Sequence, residues 1–354
     1  MSDLEKLGLR GPVKTVTEVA VQAAPDQNEP EQRQTASYEF DQQGRAIRMT
    51  GAAGTTEWTS VNTYDSNGRF LKSVSTSAGR VYHETNYTYQ PDGRLLQYIS
   101  EGDQGRIEAK CSYNERGRKT VLHVFDQVAL DRTRRNAFAG SPWSAAVSGH
   151  GVPDGGRVRM EFDERDEPLE AVIVSVDNQI IQRISRGYDN VGRLVEEKQV
   201  IENPEFLVPA GIRAQMLLKS RGTLAELRER LSKFFGASEG MTRVSYVYDS
   251  QGRQVERRTV RAPFFEEVKA TRYNEQGEGI EESTITTGAH GARLDEDGNV
   301  VPTVSPLPPP QKSTVLYSYK YDERGNWIEQ VATHEGQDGH PKPVMKRTRT
   351  ITYY

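Results

Sequence analysis

A six-residue motif, aromatic–Asp–x–x–Gly–Arg, recurs along the chain and constrains its fold more than any other sequence feature. The nine copies begin at Phe40, Tyr64, Tyr89, Tyr113, Phe162, Tyr188, Tyr248, Tyr273 and Tyr321. Successive starts lie 24, 25, 24, 49, 26, 60, 25 and 48 residues apart, so two intervals are close to twice the basic period. A repeat of this length is typical of proteins that stack copies of one structural unit. The sequence therefore predicts a single repeat domain over residues 1–354.

Each copy of the motif predicts a tight turn between two antiparallel strands. In the copy at Tyr64, the Asp65 carboxylate can accept a hydrogen bond from the backbone N–H two residues on, which starts a type I turn. Gly68 then supplies the positive φ of the following bulge without a Cβ clash. Equivalent aspartates are Asp41, Asp163, Asp189, Asp249 and Asp322. Equivalent glycines are Gly44, Gly93, Gly117, Gly192, Gly252, Gly277 and Gly325.

The residues around each turn alternate with period two, which is typical of strands with one buried face. Aromatic residues occupy every second position before the turn, as in Tyr317, Tyr319 and Tyr321. The third residue after the Gly position is aliphatic in eight of the nine copies. We therefore expect an all-β fold in which repeated antiparallel hairpins form a continuous curved or spiralling sheet. By the same alternation Trp327 points away from Ile328, which predicts that Trp327 is exposed.

The ends of such a sheet and the motif arginines give two further predictions. Residues 13–21 and 348–354 are expected to form the first and last strands, and hence the edges of the sheet. Unpaired edges can add a strand from another chain, so self-assembly through them stays open. Six of the motifs end in an arginine, which is expected to pair with an acidic residue on the next hairpin: Arg45, Arg69, Arg94, Arg118, Arg193 and Arg253.

The motif positions resemble those of the YD-repeat, or Rhs-repeat, family of bacterial proteins. The resemblance rests on the tyrosine, Asp, Gly and Arg positions, and covers residues 35–125, 158–200, 241–285 and 315–354. In that family the repeats form a long antiparallel sheet that coils on itself. Large members wind it around a toxin polypeptide or display it at a cell surface. The resemblance implies a shorter version of this sheet here, and we expect neither a toxin nor an autoproteolytic core.

Composition and charge argue against several classes of function. The formal net charge is −4, which gives no general attraction to nucleic acid or to an anionic membrane. No segment approaches the roughly 20 apolar residues of a membrane-spanning helix. The N-terminal residues lack the apolar run of a signal peptide, so we expect a cytoplasmic protein as the chain stands, or an exported one if a signal was removed. Cys111 is the only cysteine, so no internal disulfide is expected.

Three insertions interrupt the repeat, and binding residues of repeat proteins often lie in such segments. The first, residues 131–156, is predicted to be a loop. It carries Arg132, Arg134 and Arg135 together with Trp143. Arginines beside an aromatic ring can bind a carboxylate, a phosphate or a sugar. The alternative is a loop that covers an open end of the sheet, with its arginines solvated.

The other two insertions differ in character. Residues 204–240 predict a helical hairpin, because Thr223 and Glu226 form a capping box that precedes apolar residues at helical spacing. This hairpin either docks a partner or covers the apolar face of the sheet. Residues 288–312 contain five prolines and predict an extended Pro-rich loop.

The sequence contains no motif for catalysis, metal binding or cofactor binding. The six histidines include no pair at i, i+4 spacing and none beside the cysteine. P-loop, nucleophile-elbow and dinucleotide motifs are missing from the sequence. We therefore expect no enzyme activity, no metal and no cofactor. Trp58 and Trp327 join the candidate binding residues, because an exposed indole combines a large apolar face with a polar edge.

These features favour a non-enzymatic bacterial β-repeat scaffold that binds a protein partner and is exported or surface-associated. Two alternatives stay open. One is a glycan-binding module that uses Trp58, Trp143 or Trp327 with nearby arginines. The other is an encapsulating or chaperone-like partner of a separately encoded toxin.

Overall fold

The structure is a computed structural model of the chain. It describes residues 2–23, 31–135, 141–208, 210–220, 222–235, 242–261, 265–289, 292–294, 300–302, 304, 306–335 and 341–354. Most of these residues lie in strands, and neighbouring strands pair in the antiparallel sense. The prediction of an all-β, antiparallel fold is therefore confirmed.

The strands of the described chain are short and mostly follow one another directly. Their bounds are β1 Val13–Gln22, β2 Gln32–Phe40, β3 Ala46–Ala53, β4 Thr56–Tyr64, β5 Phe70–Ser77, β6 Arg80–Tyr89, β7 Leu95–Gly102, β8 Gly105–Tyr113, β9 Lys119–Phe125, β10 Arg157–Phe162, β11 Pro168–Val174, β12 Ile180–Tyr188, β13 Leu194–Ile201, β14 Thr242–Tyr248, β15 Gln254–Arg261, β16 Phe265–Tyr273, β17 Gly279–Gly288, β18 Ala292–Leu294, β19 Val300–Pro302, β20 Gln311–Tyr321, β21 Trp327–Glu335 and β22 Pro341–Tyr353. The helices are α1 Asp3–Lys6, α2 Gln127–Arg135, α3 Pro142–Val147, α4 Ala210–Ser220 and α5 Leu224–Phe235, with a 3-10 helix at Pro204–Leu207. None of the described helices is long and apolar enough to cross a membrane.

The chain divides into two compact units, where the sequence predicts one domain. Unit 1 comprises Met1–Tyr87, Thr271–Ser283 and Ser313–Tyr354. Unit 2 comprises Thr88–Ala270 and Thr284–Lys312. The motif keeps its 25-residue spacing from Tyr64 to Tyr89 and from Tyr248 to Tyr273, across two boundaries between the units, so this spacing contains no sign of the division there.

Unit 1 brings the two ends of the chain together, because the first strand pairs with the last. Its strands pair in the order β20–β21–β22–β1–β2–β3–β4–β5–β6. The first strand is thus flanked on both sides, and Thr17 lies opposite Thr350 and Ser37. The prediction that β1 and β22 are free edges is wrong, because each satisfies the backbone hydrogen bonds of the other. Self-assembly through these two edges loses its basis.

Unit 2 pairs its strands in chain order, from β7 through β16. Its apolar core lies under β8 to β12 and includes Val158, Ile173 and Ile184, which are fully buried. Helices α2 and α3 cover this core, where the sequence predicts a loop over residues 131–156. Helix α3 forms because Ser141 caps its N-terminus ahead of a proline, and it then buries Trp143 and Ala146.

The other two insertions also carry regular structure. Helices α4 and α5 lie within the second insertion, residues 204–240, and Thr223 and Glu226 exchange both hydrogen bonds of a capping box before α5. In the Pro-rich segment, residues 288–312, the described residues include the two-stranded ribbon β18–β19. Proline in such a ribbon is tolerated at an edge.

A β-bulge changes which residues face the core at the motif turns that follow Phe40, Tyr64, Phe162, Tyr188, Tyr248 and Tyr321. Thr63 lies opposite Lys72, but Tyr64 lies opposite Phe70, so one residue of β5 is extra. The same shift places Tyr321 opposite Trp327. Trp327 is therefore buried, at 6% exposure, and the prediction that it is exposed is wrong. The alternation of buried and exposed residues is interrupted at the bulge, because the bulge inserts one residue into the strand.

Candidate functional site

The motif residues hold neighbouring turns together. Asp249 accepts backbone N–H groups of Gln251 and Arg253 at 2.9 Å each, and also the Arg253 Nε at 2.7 Å. The Arg193 guanidinium of the preceding turn stacks over the Tyr248 ring at 4.9 Å. The Tyr248 hydroxyl donates to the Leu194 carbonyl at 2.8 Å. Stacking and a hydrogen bond thus join this turn to the one before it, so these motif residues stabilise the fold.

The prediction that the motif arginines pair with acids of the next hairpin is wrong for most of the pairs seen. In four turns the arginine pairs with the aspartate of its own turn, four residues earlier: Arg45–Asp41, Arg69–Asp65, Arg193–Asp189 and Arg253–Asp249. The bulge brings the two side chains to the same side of the turn. The flat face of the guanidinium can then stack on the motif tyrosine of the next hairpin, as Arg45 does on Tyr64 and Arg193 on Tyr248. Arg118 does reach an acid of the next motif turn, Glu164. Hydrogen bonds from the backbone N–H of Arg193, and then from its side chain, lower the pKa of Asp189.

The proposed arginine–tryptophan site in the first insertion is not brought together. Trp143 is buried at 8% exposure beneath the Arg186 guanidinium, whose centre lies 4.6 Å from the ring. Its backbone N–H donates to Glu197 at 2.9 Å, and this fully buried carboxylate also accepts Arg186 Nε at 2.9 Å. Trp143 therefore anchors α3 to β12 and β13. Arg132 hydrogen-bonds Gln104; the side chains of Arg134 and Arg135 lie outside the described part of the chain.

A pocket of about 410 Å³ lies in unit 2, where the first two insertions meet. We call it the insertion pocket. One wall is the segment after α3, with Val152 and Pro153, and another is the β11–β12 turn with Val176. The third wall is the 3-10 helix, which contributes Phe206 and Leu207. Preformed concave sites of this size, apolar with few polar groups, are typical of binding sites.

Charged groups surround the insertion pocket. Asp154 and Asp177 are exposed at its rim. Arg213, from α4, is its cation; the guanidinium lies over the Phe206 ring at 4.8 Å and donates to the Glu205 carbonyl at 3.2 Å. The rim thus carries two carboxylates and one guanidinium, which favours a ligand with positive charge.

An ion pair with α5 holds the 3-10 helix that forms this wall. The Glu205 side chain is fully buried, and one carboxylate oxygen accepts two N–H groups of Arg228 from α5. Removing Arg228, whose own side chain is about half exposed, would leave the buried Glu205 carboxylate unpaired. The pocket is not evident from the sequence, because its residues come from three separated segments. The one available signal was the apolar Val176 inside a turn of polar residues.

Trp58 is the one candidate tryptophan that stays half-buried, beside a polar groove in unit 1. Among the described residues, no group of three or more His, Cys, Asp or Glu side chains is arranged to hold a metal.

Comparison with known proteins gives distant likenesses only. No protein-family model matches the chain, and no curated protein matches it. A porin-like protein from Bacteroides uniformis aligns over 96% of each chain at 10% identity, with a TM-score of 0.35. The TcdB2-TccC3 structure aligns with 97% of this chain and 22% of its own, at 10% identity and a TM-score of 0.26. Likenesses at this level leave the function of the chain open.

Proposed function

We propose that the chain is a non-enzymatic β-repeat scaffold that binds a protein partner through the insertion pocket. The observation that carries the proposal is the exposed apolar side chain of Val176 beside an apolar pocket with an acidic rim. Burial of an apolar side chain in such a pocket is the usual anchor of a protein interface.

The chemistry of the pocket defines the partner segment. The apolar walls take one aliphatic or aromatic side chain. Asp154 and Asp177 favour a lysine or arginine next to that side chain. The partner segment is therefore an apolar residue with a basic neighbour. Such a role needs binding only, with no reacting group.

Two matched valines give the test. Val176 is 64% exposed and borders the pocket, whereas Val191 is 67% exposed in a motif turn and does not line it. Both Val176→Asp and Val191→Asp should fold, because exposed substitutions cost little stability. The full chain and both variants are used to select peptides from a displayed random library. The wild type and Val191→Asp should enrich peptides with an apolar residue beside Lys or Arg, and Val176→Asp should not.

The same three proteins then capture partners from a bacterial lysate, with mass spectrometry of the eluate. A partner of this kind should be lost with Val176→Asp alone, and the selected peptide should compete for it. Equal retention by both variants, or peptides without the apolar–basic pair, would contradict the proposal.

A further inference from the structure

A polar groove lies in unit 1 at the ends of two adjacent hairpins. Residues 54–55 join β3 to β4, and residues 78–79 join β5 to β6. Because β4 pairs with β5, these two loops stand side by side, and Trp58 lies opposite Ser77. The groove between them has a volume of about 410 Å³. It shares no residue with the insertion pocket.

The indole of Trp58 packs against a glycine on the neighbouring strand. Trp58 lies opposite Gly51 on β3, and its ring rests on the Gly51 backbone. A Cβ on residue 51 would overlap three atoms of the ring. Gly51 does not adopt a positive φ, so the backbone itself does not require glycine there. The glycine therefore provides space for the ring to lie flat along the groove.

The other side chains of the groove match the groups that a sugar presents. Thr55, Thr56, Thr59, Thr76 and Ser77 are among the residues that line it. Side chains alternate between the two faces of a strand, so Thr56 and Ser77 share the face that carries Trp58. The Ser77 hydroxyl donates to the Glu57 carbonyl at 2.7 Å, so its lone pairs stay available as acceptors. Hydroxyls exchange hydrogen bonds with sugar hydroxyls, while an indole face packs against the C–H face of a pyranose ring.

The charge of the groove narrows the ligand class. Glu57 is the ionisable group among the residues that line it, and no Lys, Arg or His belongs to the lining. A phosphate or an acidic sugar would meet a carboxylate without a compensating cation. We propose that this groove binds a neutral saccharide, with one pyranose ring on Trp58 and with the Thr56 and Ser77 hydroxyls bonding to its hydroxyls.

Tryptophan fluorescence gives a direct test. Trp143 and Trp327 are buried, at 8% and 6% exposure, so a ligand-dependent change reports on Trp58. The full chain is titrated with neutral hexasaccharides of glucose, galactose and N-acetylglucosamine, and with the hexasaccharide of galacturonic acid. At least one neutral hexasaccharide should change the emission saturably, and the acidic one should not.

Variants then separate the sugar site from a change in folding. By calorimetric titration, Trp58→Ala should weaken binding about tenfold or more, whereas Trp58→Phe, which keeps a ring, should weaken it less. Glu57→Gln leaves the ring in place, so it should leave the affinity for the neutral sugar within about twofold of the wild type while relieving the exclusion of the acidic sugar. Val176→Asp, which alters the insertion pocket, should bind the sugar like the wild type, so this proposal and the partner proposal fail independently.

Three outcomes would overturn the proposal. The first is silence of the folded wild type across these hexasaccharides and across an array of neutral glycans. The second is equal affinity in the wild type and Trp58→Ala. The third is a preference for the acidic hexasaccharide over every neutral one.

Discussion

The two units share one turn motif but bury different side chains. Unit 2 buries large aliphatic residues, such as Ile173, Ile181 and Ile184, under two helices. In unit 1 the apolar cluster is smaller: Leu9, Val13, Val16, Phe40 and Ala46. Elsewhere in unit 1, on β4 and β5, buried or half-buried serines bond one another, with Ser60 Oγ 3.1 Å from Ser73 Oγ.

Their charged groups differ in the same way. In unit 2, Glu197 is fully buried and paired with Arg186. In unit 1, Glu18 stays partly exposed, and its partner Arg349 stacks over Trp327 at 3.5 Å. The comparison teaches that the motif specifies the turns and the contact between turns. The residues between the turns decide what each unit buries.

Glu197→Ala should give the largest loss of stability. It leaves Arg186 without its partner and the backbone N–H of Trp143 without an acceptor, so we expect a loss of about 3–5 kcal/mol. Glu202→Ala is the control, because Glu202 forms an ion pair with Arg183 that is one-third exposed, and should cost less than about 1 kcal/mol. Urea denaturation measures both. Similar losses in the two variants would mean that the buried network does not hold α3.

The contrast between aliphatic and hydroxyl interiors can be measured with one pair of substitutions. Ile184→Ala removes a fully buried side chain from the unit 2 core and should cost about 3 kcal/mol. Ser60→Ala removes an equally enclosed hydroxyl from unit 1, at 4% exposure, and should cost about 1 kcal/mol. Hydrogen exchange should place each loss in its own unit. A larger effect at Ser60 would reverse the comparison.

Thr350→Pro tests the pairing of the two chain ends in unit 1. Thr350 lies in the part of β22 that pairs with β1, opposite Thr17, and proline there disrupts the strand pairing at a cost of about 3 kcal/mol. Thr350→Val keeps the backbone N–H and serves as control. Amides of β1 and β22 should lose protection in the proline variant, while the particle mass in light scattering stays that of the wild type. A change in mass would restore the edge-pairing hypothesis.

Acid should destabilise unit 2 through His123. Desolvation lowers the pKa of this buried histidine from 6.5 to about 4, and its Nε2 lies 2.8 Å from the Tyr98 hydroxyl. The unfolded chain therefore binds a proton below pH 6.5 that the folded chain refuses until about pH 4. Stability should fall by about 3 kcal/mol as the pH drops through this window. In His123→Gln, urea titrations should show a free energy of unfolding that depends less on pH between 6.5 and about 4. The same pH dependence as in the wild type would mean that His123 is not its source.

Much of the local structure was predictable because it depends on neighbours in sequence. The motif glycines adopt positive φ, as in Gly68 at 79°, and Asp65 accepts the N–H two residues on. The capping box of Thr223 and Glu226 is equally local. The exposure of Trp327 was not predictable by alternation, since the bulge shifts the register by one residue.

The sequence by itself determined the antiparallel hairpins, their turns and the class of fold, because each turn is stabilised by groups within six residues. Only the tertiary structure decided that the first and last strands pair, that the chain forms two units, and that Trp143 and Trp327 are buried while Trp58 borders a groove. These outcomes depend on contacts between residues far apart in the chain, such as Val16 with Ile351. A periodic sequence offers many equivalent partners for such contacts, and packing selects among them.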